Sequence, residues 1–588
     1  MKRIITLLSI LTLSLAGCGS NPPGITFYLT NEEFETYYDD SYFLLDNKYY
    51  HQEIAVASFA NAMASINARD DYSIRSANLV DLWTKENFQH IYINDDYKVK
   101  PALDSVGFAI ASKKINNFNL IAVTIRSGAY DAEWASNVTA GTTGNSQGFQ
   151  NSANKVIEGI EDYVSTYELS GHTKFWLSGF SRGGSITNLL AGTMLQKIDQ
   201  GTFISEITTG IADVYAYCFE PQNAAEISIV DAKGELYQGI HNLCNFNDIL
   251  TMILPNGWGM AKYGHSHYYP DRLTDIRFNA TERKKMIWNY HFAKGAEDYA
   301  AYTVDDWKFY RAITTYTEEI NAPIESVYPS MGRFAQNLIY TIMISTLDRS
   351  TYAMFQEGIR NIFATIFGYN PDIEGIKISD SVFMDLLFSY SIIQTLFSEL
   401  QQGNLADFTA DFAIILYILF NANKDNIEAI HALYEGIRLA VFYIFAPIIY
   451  RPDVMHQLFS RDNMLTLIST HATELNYSFL KSCDPRLYGK DACHLNDGSY
   501  YILKVDTPES ISIYEKTLGK NVFTYSNGVM SSDTLSAEKM FDGSIAIYMP
   551  KNGSYSYHIE SEDIQLINVD EYNNETVINE SMPKTGEF

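Results

Sequence analysis

Two rhythms of apolar positions run through the middle of the chain. Short apolar runs at 105–111, 119–125, 174–178, 214–219 and 237–244 have the length and composition of buried strands. Between them, Phe149, Ala153, Val156, Ile157, Ile160, Tyr163, Val164 and Tyr167 recur at the spacing of one helix face, and a second helix is predicted from Arg182. Strands that alternate with helices in this way predict a mostly parallel α/β sheet. Beyond Pro270 the pattern changes: 334–346, 352–367, 379–400, 406–421 and 426–450 all read as helices rich in Phe, Ile, Leu and Tyr. The tail changes again, with short runs at 500–505, 510–514, 544–549, 555–559 and 564–569, several alternating apolar and polar, separated by Gly, Asn and Asp turns. The expected order is a signal segment at 1–17, a tether at 18–50, an α/β core at 51–270, a helical insertion at 271–455, a return to the core at 456–482, and a small β-sandwich at 495–578.

The chain's 588 residues, 46% of them hydrophobic and 14% aromatic, suffice for a large core and more than one domain. Lys2-Arg3, an apolar run from Ile4, and then Leu15-Ala16-Gly17-Cys18 resemble the leader and lipobox of a bacterial lipoprotein. The expectation is an exported protein held to a membrane through acyl groups on Cys18, at the cell surface or in the periplasm. A formal net charge of -28 argues against nucleic acid or anionic headgroups as partners, since both are repelled at long range. Export permits a disulfide, and Cys483 with Cys493, in a polar loop, is the expected pair; Cys218 and Cys244 sit in apolar runs and read as buried thiols. No Cys or His spacing points to a metal, and nothing points to a cofactor.

Candidate chemistry centres on Gly179-Phe180-Ser181-Arg182-Gly183, which lies between a strand and a helix. A serine oxygen becomes an accessible nucleophile on such a sharp turn, and flanking glycines remove the side chains that would block it. Gly144-Asn145-Ser146-Gln147-Gly148 matches the same pentapeptide, but its preceding stretch is small and polar, so no strand delivers Ser146 to an elbow. The acid of a serine triad follows a strand, and Asp248 does so, though Asp in that place also serves as a helix N-cap. The base must then follow the acid in the chain. His471 comes where the chain returns to the core, with His267 as the reserve. The backbone N–H of Arg182 and of Gly128 are the candidate oxyanion donors, and the Arg182 side chain reads as a solvated charge in the first helical turn.

Five blocks carry a resemblance: Val123-Thr124-Ile125-Arg126-Ser127-Gly128 with Trp134, Gly148-Phe149, Leu177-Ser178-Gly179-Phe180-Ser181-Arg182-Gly183-Gly184, Tyr217-Cys218-Phe219-Glu220-Pro221, and Asn245-Phe246-Asn247-Asp248-Ile249 with Leu254-Pro255. In order and spacing they resemble class 3 (fungal-type) lipases and related bacterial α/β-hydrolases. The resemblance implies an α/β-hydrolase core and hydrolysis of an acyl ester, with Ser181 as nucleophile, Asp248 as acid, His471 as base, and Gly128 with Arg182 at the oxyanion hole. The chain departs from that family in having Phe180-Ser181-Arg182 where the family has His-Ser-Leu, and in the 223 positions between Asp248 and His471. A surface-binding lipoprotein on the same fold, and a serine thioesterase or peptidase, are the alternative readings.

Overall fold

The computed structural model of the protein describes residues 25–29, 32–65, 76–94, 104–127, 136, 137, 139–271, 273–277, 348–350, 352, 353, 470, 471 and 473–588 except 533, 541 and 573. A hairpin of β1 (Ile25–Leu29) and β2 (Glu32–Thr36) opens the described chain, followed by α1 (Gln52–Ala64) and α2 (Ser76–Lys85). Then come β3 (Gln89–Asn94), β4 (Phe108–Ile115), β5 (Phe118–Ile125), α3 (Gln147–Thr166), β6 (Gly171–Phe180), α4 (Arg182–Asp199), β7 (Val214–Phe219), β8 (Ile240–Cys244) and β9 (His265–Tyr268). The central sheet runs β9-β8-β7-β6-β5-β4-β3, with Ile207–Thr208 added beside β6. Pairing is parallel from β5 to β9 and antiparallel from β3 to β5.

Register explains where chemistry can sit. Ile125 pairs with Gly179, Phe180 with Phe219, and Phe219 with Leu243, so the carboxyl ends of β5, β6, β7 and β8 finish together. Residues just beyond these ends share one edge, where open α/β sheets place their ligands. Both faces of the sheet are covered, and the strands alternate between two cores. Along β7, Tyr215, Tyr217 and Phe219 join the cluster beneath α1 and α2, while Val214, Ala216 and Cys218 join the cluster beneath α3 and α4.

The segment expected as a tether contributes to the core from its middle onward. Phe43 is fully buried, and its ring lies 5.2 Å from Trp176 and 5.5 Å from Tyr215. Its carbonyl accepts from Lys174 Nζ at 2.9 Å, and Asn47 Nδ2 donates to Val214 O at 2.7 Å. The expected disulfide is not formed: Cys483 and Cys493 are not bonded to each other, and both are buried in the cluster beneath α1. Cys218 and Cys244 are buried free thiols, as their apolar runs predict.

After α5 (Thr473–Ser482) the tail forms two five-stranded antiparallel sheets. Leu503, Val505 and Ile547 from one sheet and Ile511, Ile513, Phe523 and Ile559 from the other fill a common buried cluster. The tail continues past residue 578, since Thr585–Glu587 is a strand and the Phe588 ring lies 5.5 Å from Tyr555. It rests on the core through Phe246 and Leu273 against Tyr500 and Ile502, and through the Tyr268–Asn496 bridge. Apart from Tyr352 and Ala353, which are helical and buried, the expected insertion helices lie outside the described residues, as do Cys18 and the leader. Among the described residues no helix is long and apolar enough to cross a membrane, and no cluster of His, Cys, Asp or Glu could hold a metal.

A histidine pair under the sheet gives one stability prediction. His241 Nδ1 and His267 Nε2 share a hydrogen bond of 3.2 Å, and burial pushes His241 down to about 4 and His267 down to about 3. An unfolded histidine binds its proton below about pH 6.5, whereas these stay neutral when folded, so their contribution to stability falls as pH drops from about 6.5 toward those values. The buried carboxyls Glu86 and Glu220, both raised by burial, act with the opposite sign. The readout is therefore a difference: His267→Gln should gain on the parent chain by about 1 kcal/mol per pH unit between pH 6 and 5. Parallel stability curves from urea titrations across that range would contradict it.

Candidate active site

The serine turn is built by close approach. Ser181 sits at φ 58° and ψ -124° between β6 and α4, a conformation that costs a non-glycine residue roughly 1–3 kcal/mol. Its N–H donates to Phe219 O at 2.9 Å, which ties the elbow to the end of β7. A Cβ on Gly179 would lie 2.4 Å from Gly183 O, one on Gly183 would lie 2.4 Å from Ile125 O, and one on Gly184 would lie 2.4 Å from Phe219 O. These glycines let α4 start directly against the strand ends. Ser146 has a different environment: it begins α3, is buried, and donates from Oγ to Thr139 O at 2.8 Å.

Asp248 follows β8 and is fully buried. Its two oxygens divide the work: Oδ1 accepts from Leu250 N at 3.0 Å, capping the 3-10 turn Ile249–Met252, and Oδ2 faces His471 Nδ1 at 2.5 Å. The cap and the contact with the imidazole coexist in one side chain. His471 Nε2 in turn lies 2.7 Å from Ser181 Oγ. The imidazole is 5.1 Å from the Phe180 ring and its side chain keeps 16% exposure. Three residues distant in sequence thus form one hydrogen-bonded chain at the sheet edge, while His267 is engaged with His241.

Two residues that the sequence reading passed over hold this arrangement. Asn245 Nδ2 donates to Thr470 O at 2.8 Å, fixing the backbone beside His471, and Asn245 N donates to Glu220 Oε1 and Oε2, each at 2.9 Å. Glu220 follows β7, is fully buried, and takes a positive φ of 49°. Burial first, and the neighbouring Asp248 carboxylate second, push the Glu220 carboxyl well above the usual range. Both residues lie within the quoted blocks Tyr217–Pro221 and Asn245–Ile249, which assign neither a role; the available signal was an acidic residue, Glu220, directly after a buried strand.

Arg182 corrects the sequence reading. Its side chain is not a solvated charge but is 97% buried, with only 3% exposed. Nη1 donates to Ser136 Oγ at 3.2 Å and Asn137 Oδ1 at 2.7 Å; Nη2 donates to Ser152 Oγ at 2.9 Å and Ser105 O at 3.3 Å. The guanidinium also lies 5.6 Å from the centre of the Phe149 ring. As the first residue of α4, Arg182 has a backbone N–H at the helix N-terminus, where amides lack intrahelical partners. Gly128, the other oxyanion candidate, lies outside the described residues.

No protein-family model matches the chain, and no curated protein does. Among solved structures the chain is similar to a triacylglycerol lipase whose catalytic centre is a serine protease triad, at 15% identity over 38% of this chain and 83% of that one, with a TM-score of 0.28. It is also similar to the native propeptide complex of the Rhizomucor miehei lipase, at 14% identity over 43% and 86% of the two chains, with a TM-score of 0.27. A lipase from Rhizopus microsporus var. chinensis is similar at 14% identity over 36% and 72%, with a TM-score of 0.24.

Proposed function

We propose that the protein is a serine carboxylic-ester hydrolase, lipase-like in its α/β core, acting through an acyl-serine intermediate. One observation carries the reading: His471 stands between Ser181 Oγ at 2.7 Å and Asp248 Oδ2 at 2.5 Å. In that arrangement His471 Nε2 takes the Ser181 proton as Oγ attacks the ester carbonyl, and Asp248 stabilises the imidazolium. The Arg182 N–H, with Gly128 as its proposed partner, stabilises the negative oxygen of the tetrahedral intermediate. His471 then hands its proton to the leaving alcohol, and the acyl-serine remains. Water, deprotonated by His471, attacks that ester; collapse releases the acid and restores Ser181.

The segment 271–455, expected from its sequence to be a helical lid or acyl-binding wall, falls between acid and base in sequence. We also assign Cys18 as the acylated residue of an exported, membrane-anchored chain, since two or more acyl groups give stable attachment. A fluorophosphonate probe tests these assignments together. Ser181 should label, Ser181→Ala should not, and Cys18→Ser should move the labelled protein from the membrane fraction to the soluble one. Absence of labelling in the parent chain favours a binding protein on the same fold. Turnover of peptide amides or thioesters, with oxygen esters left intact, replaces the esterase by a peptidase or thioesterase.

A further inference from the structure

Glu220 and Asp248 are fully buried carboxyls gathered on one turn beside His471: Asn245 N–H donates to both Glu220 oxygens at 2.9 Å, Asp248 N–H donates to Asn245 O at 3.0 Å, and the two carboxyls lie within side-chain hydrogen-bond reach. Two carboxyls in contact away from water cannot both ionise, so the pair holds one proton. The hydrogen bonds determine which side carries it. Asp248 receives one donor on each oxygen, Leu250 N on Oδ1 and His471 Nδ1 on Oδ2, and both favour its charged form. Among the described residues Glu220 accepts one N–H, that of Asn245, shared between its two oxygens. We propose that Glu220 is a positioning residue for the triad: it remains protonated and donates its carboxyl O–H to Asp248, locking the orientation in which Asp248 holds His471.

The surroundings agree with one net negative charge. Besides His471, the ionisable groups among the described residues that face the pair are Lys262, Cys244, Tyr268 and Tyr269. Lys262, a half-buried cation nearby, directs its ammonium to Asn223 Oδ1 at 2.7 Å and Thr251 O at 3.0 Å. Burial pushes the Cys244 thiol up to about 12 and both tyrosines well above their ordinary value, so these three stay neutral. The Glu220 proton is not transferred at any step; Asp248 keeps its charge throughout and the proton taken from Ser181 resides on His471.

This inference rests on the triad reading, and the experiment separates the two. Fluorophosphonate labelling of the parent chain is measured first, because failure there ends the triad reading regardless of Glu220. With a labelling parent, Glu220→Gln, which keeps a donor of similar shape, should retain rates within about twofold and leave the acid limb of the rate–pH profile in place. Glu220→Leu, which removes the donor, should slow labelling about tenfold or more. An ionised Glu220 would give the opposite result: Gln would remove a negative charge near the imidazolium and shift the acid limb downward by half a unit or more. That shift, or equal rates in Glu220→Leu and the parent, overturns the proposal. Unfolding midpoints separate a misfolded variant from a slow one, and if Leu fails to fold, the Gln profile alone decides.

Discussion

Asp248→Asn should lower kcat for ester hydrolysis by about 10⁴-fold and leave the fold as stable as the parent. The size of the loss follows from hydrogen-bond direction. Leu250 N–H donates to Oδ1 at 3.0 Å, so an asparagine must turn its carbonyl oxygen there to avoid setting donor against donor. Its amide NH2 then faces His471 Nδ1, where the carboxylate Oδ2 stood at 2.5 Å. A ring nitrogen that meets a donor must accept, which moves the imidazole hydrogen to Nε2. That nitrogen, 2.7 Å from Ser181 Oγ, can no longer take a proton. The helix cap survives in the variant, so the stability cost of about 1 kcal/mol that removal of a cap brings is avoided. Steady-state kinetics with a short-chain ester, together with thermal unfolding, check both halves. Full turnover in Asp248→Asn would mean that another acid orients the base.

The course of the chain from β5 to β8 was legible in the sequence because the strands are apolar on both faces and the helix between β5 and β6 has one clear buried stripe. Ser181 and Asp248 were legible for the same reason, since each follows directly from a strand that the apolar runs delimit. His471, whose Nε2 lies 2.7 Å from Ser181 Oγ, stands out in the sequence by order alone, as a histidine that follows Asp248 beyond the expected insertion. The helix α1 was not found: from Ile54 to Ala64 every residue is buried, so no polar face marks its period. The strands Val529–Ser532 and Glu575–Asn579 lie at the sheet edges and are largely exposed, so no apolar run announces them. Asn245 and Glu220 act through contacts made in space with residues far along the chain or across a loop. A linear reading contains no period or motif for such contacts.

Arg182→Met should destabilise the α/β core by about 3–5 kcal/mol and reduce activity beyond what the lost folded fraction explains. From sequence, an arginine in the first turn of a helix is a minor electrostatic fault, and its removal should help slightly. The structure reverses the sign. The guanidinium fills a buried polar hollow in which Asn137 Oδ1 at 2.7 Å and Ser152 Oγ at 2.9 Å accept from it, alongside Ser136 Oγ and the Ser105 carbonyl. Methionine preserves much of the apolar volume but leaves these oxygens without their donor in a place water does not reach, and each orphaned group costs about 1–3 kcal/mol. Lysine should rescue little, because its single ammonium cannot reproduce the planar fork that reaches both sides of the hollow. The hollow joins the loop at 136 and 137 to α4, which starts directly after Ser181, so its collapse should also disturb the Arg182 backbone N–H proposed for the oxyanion hole. Urea unfolding of Arg182→Met and Arg182→Lys, with fluorophosphonate labelling measured below the unfolding transition, separates the two effects. Parent-like stability in Arg182→Met would return Arg182 to the role of a surface charge.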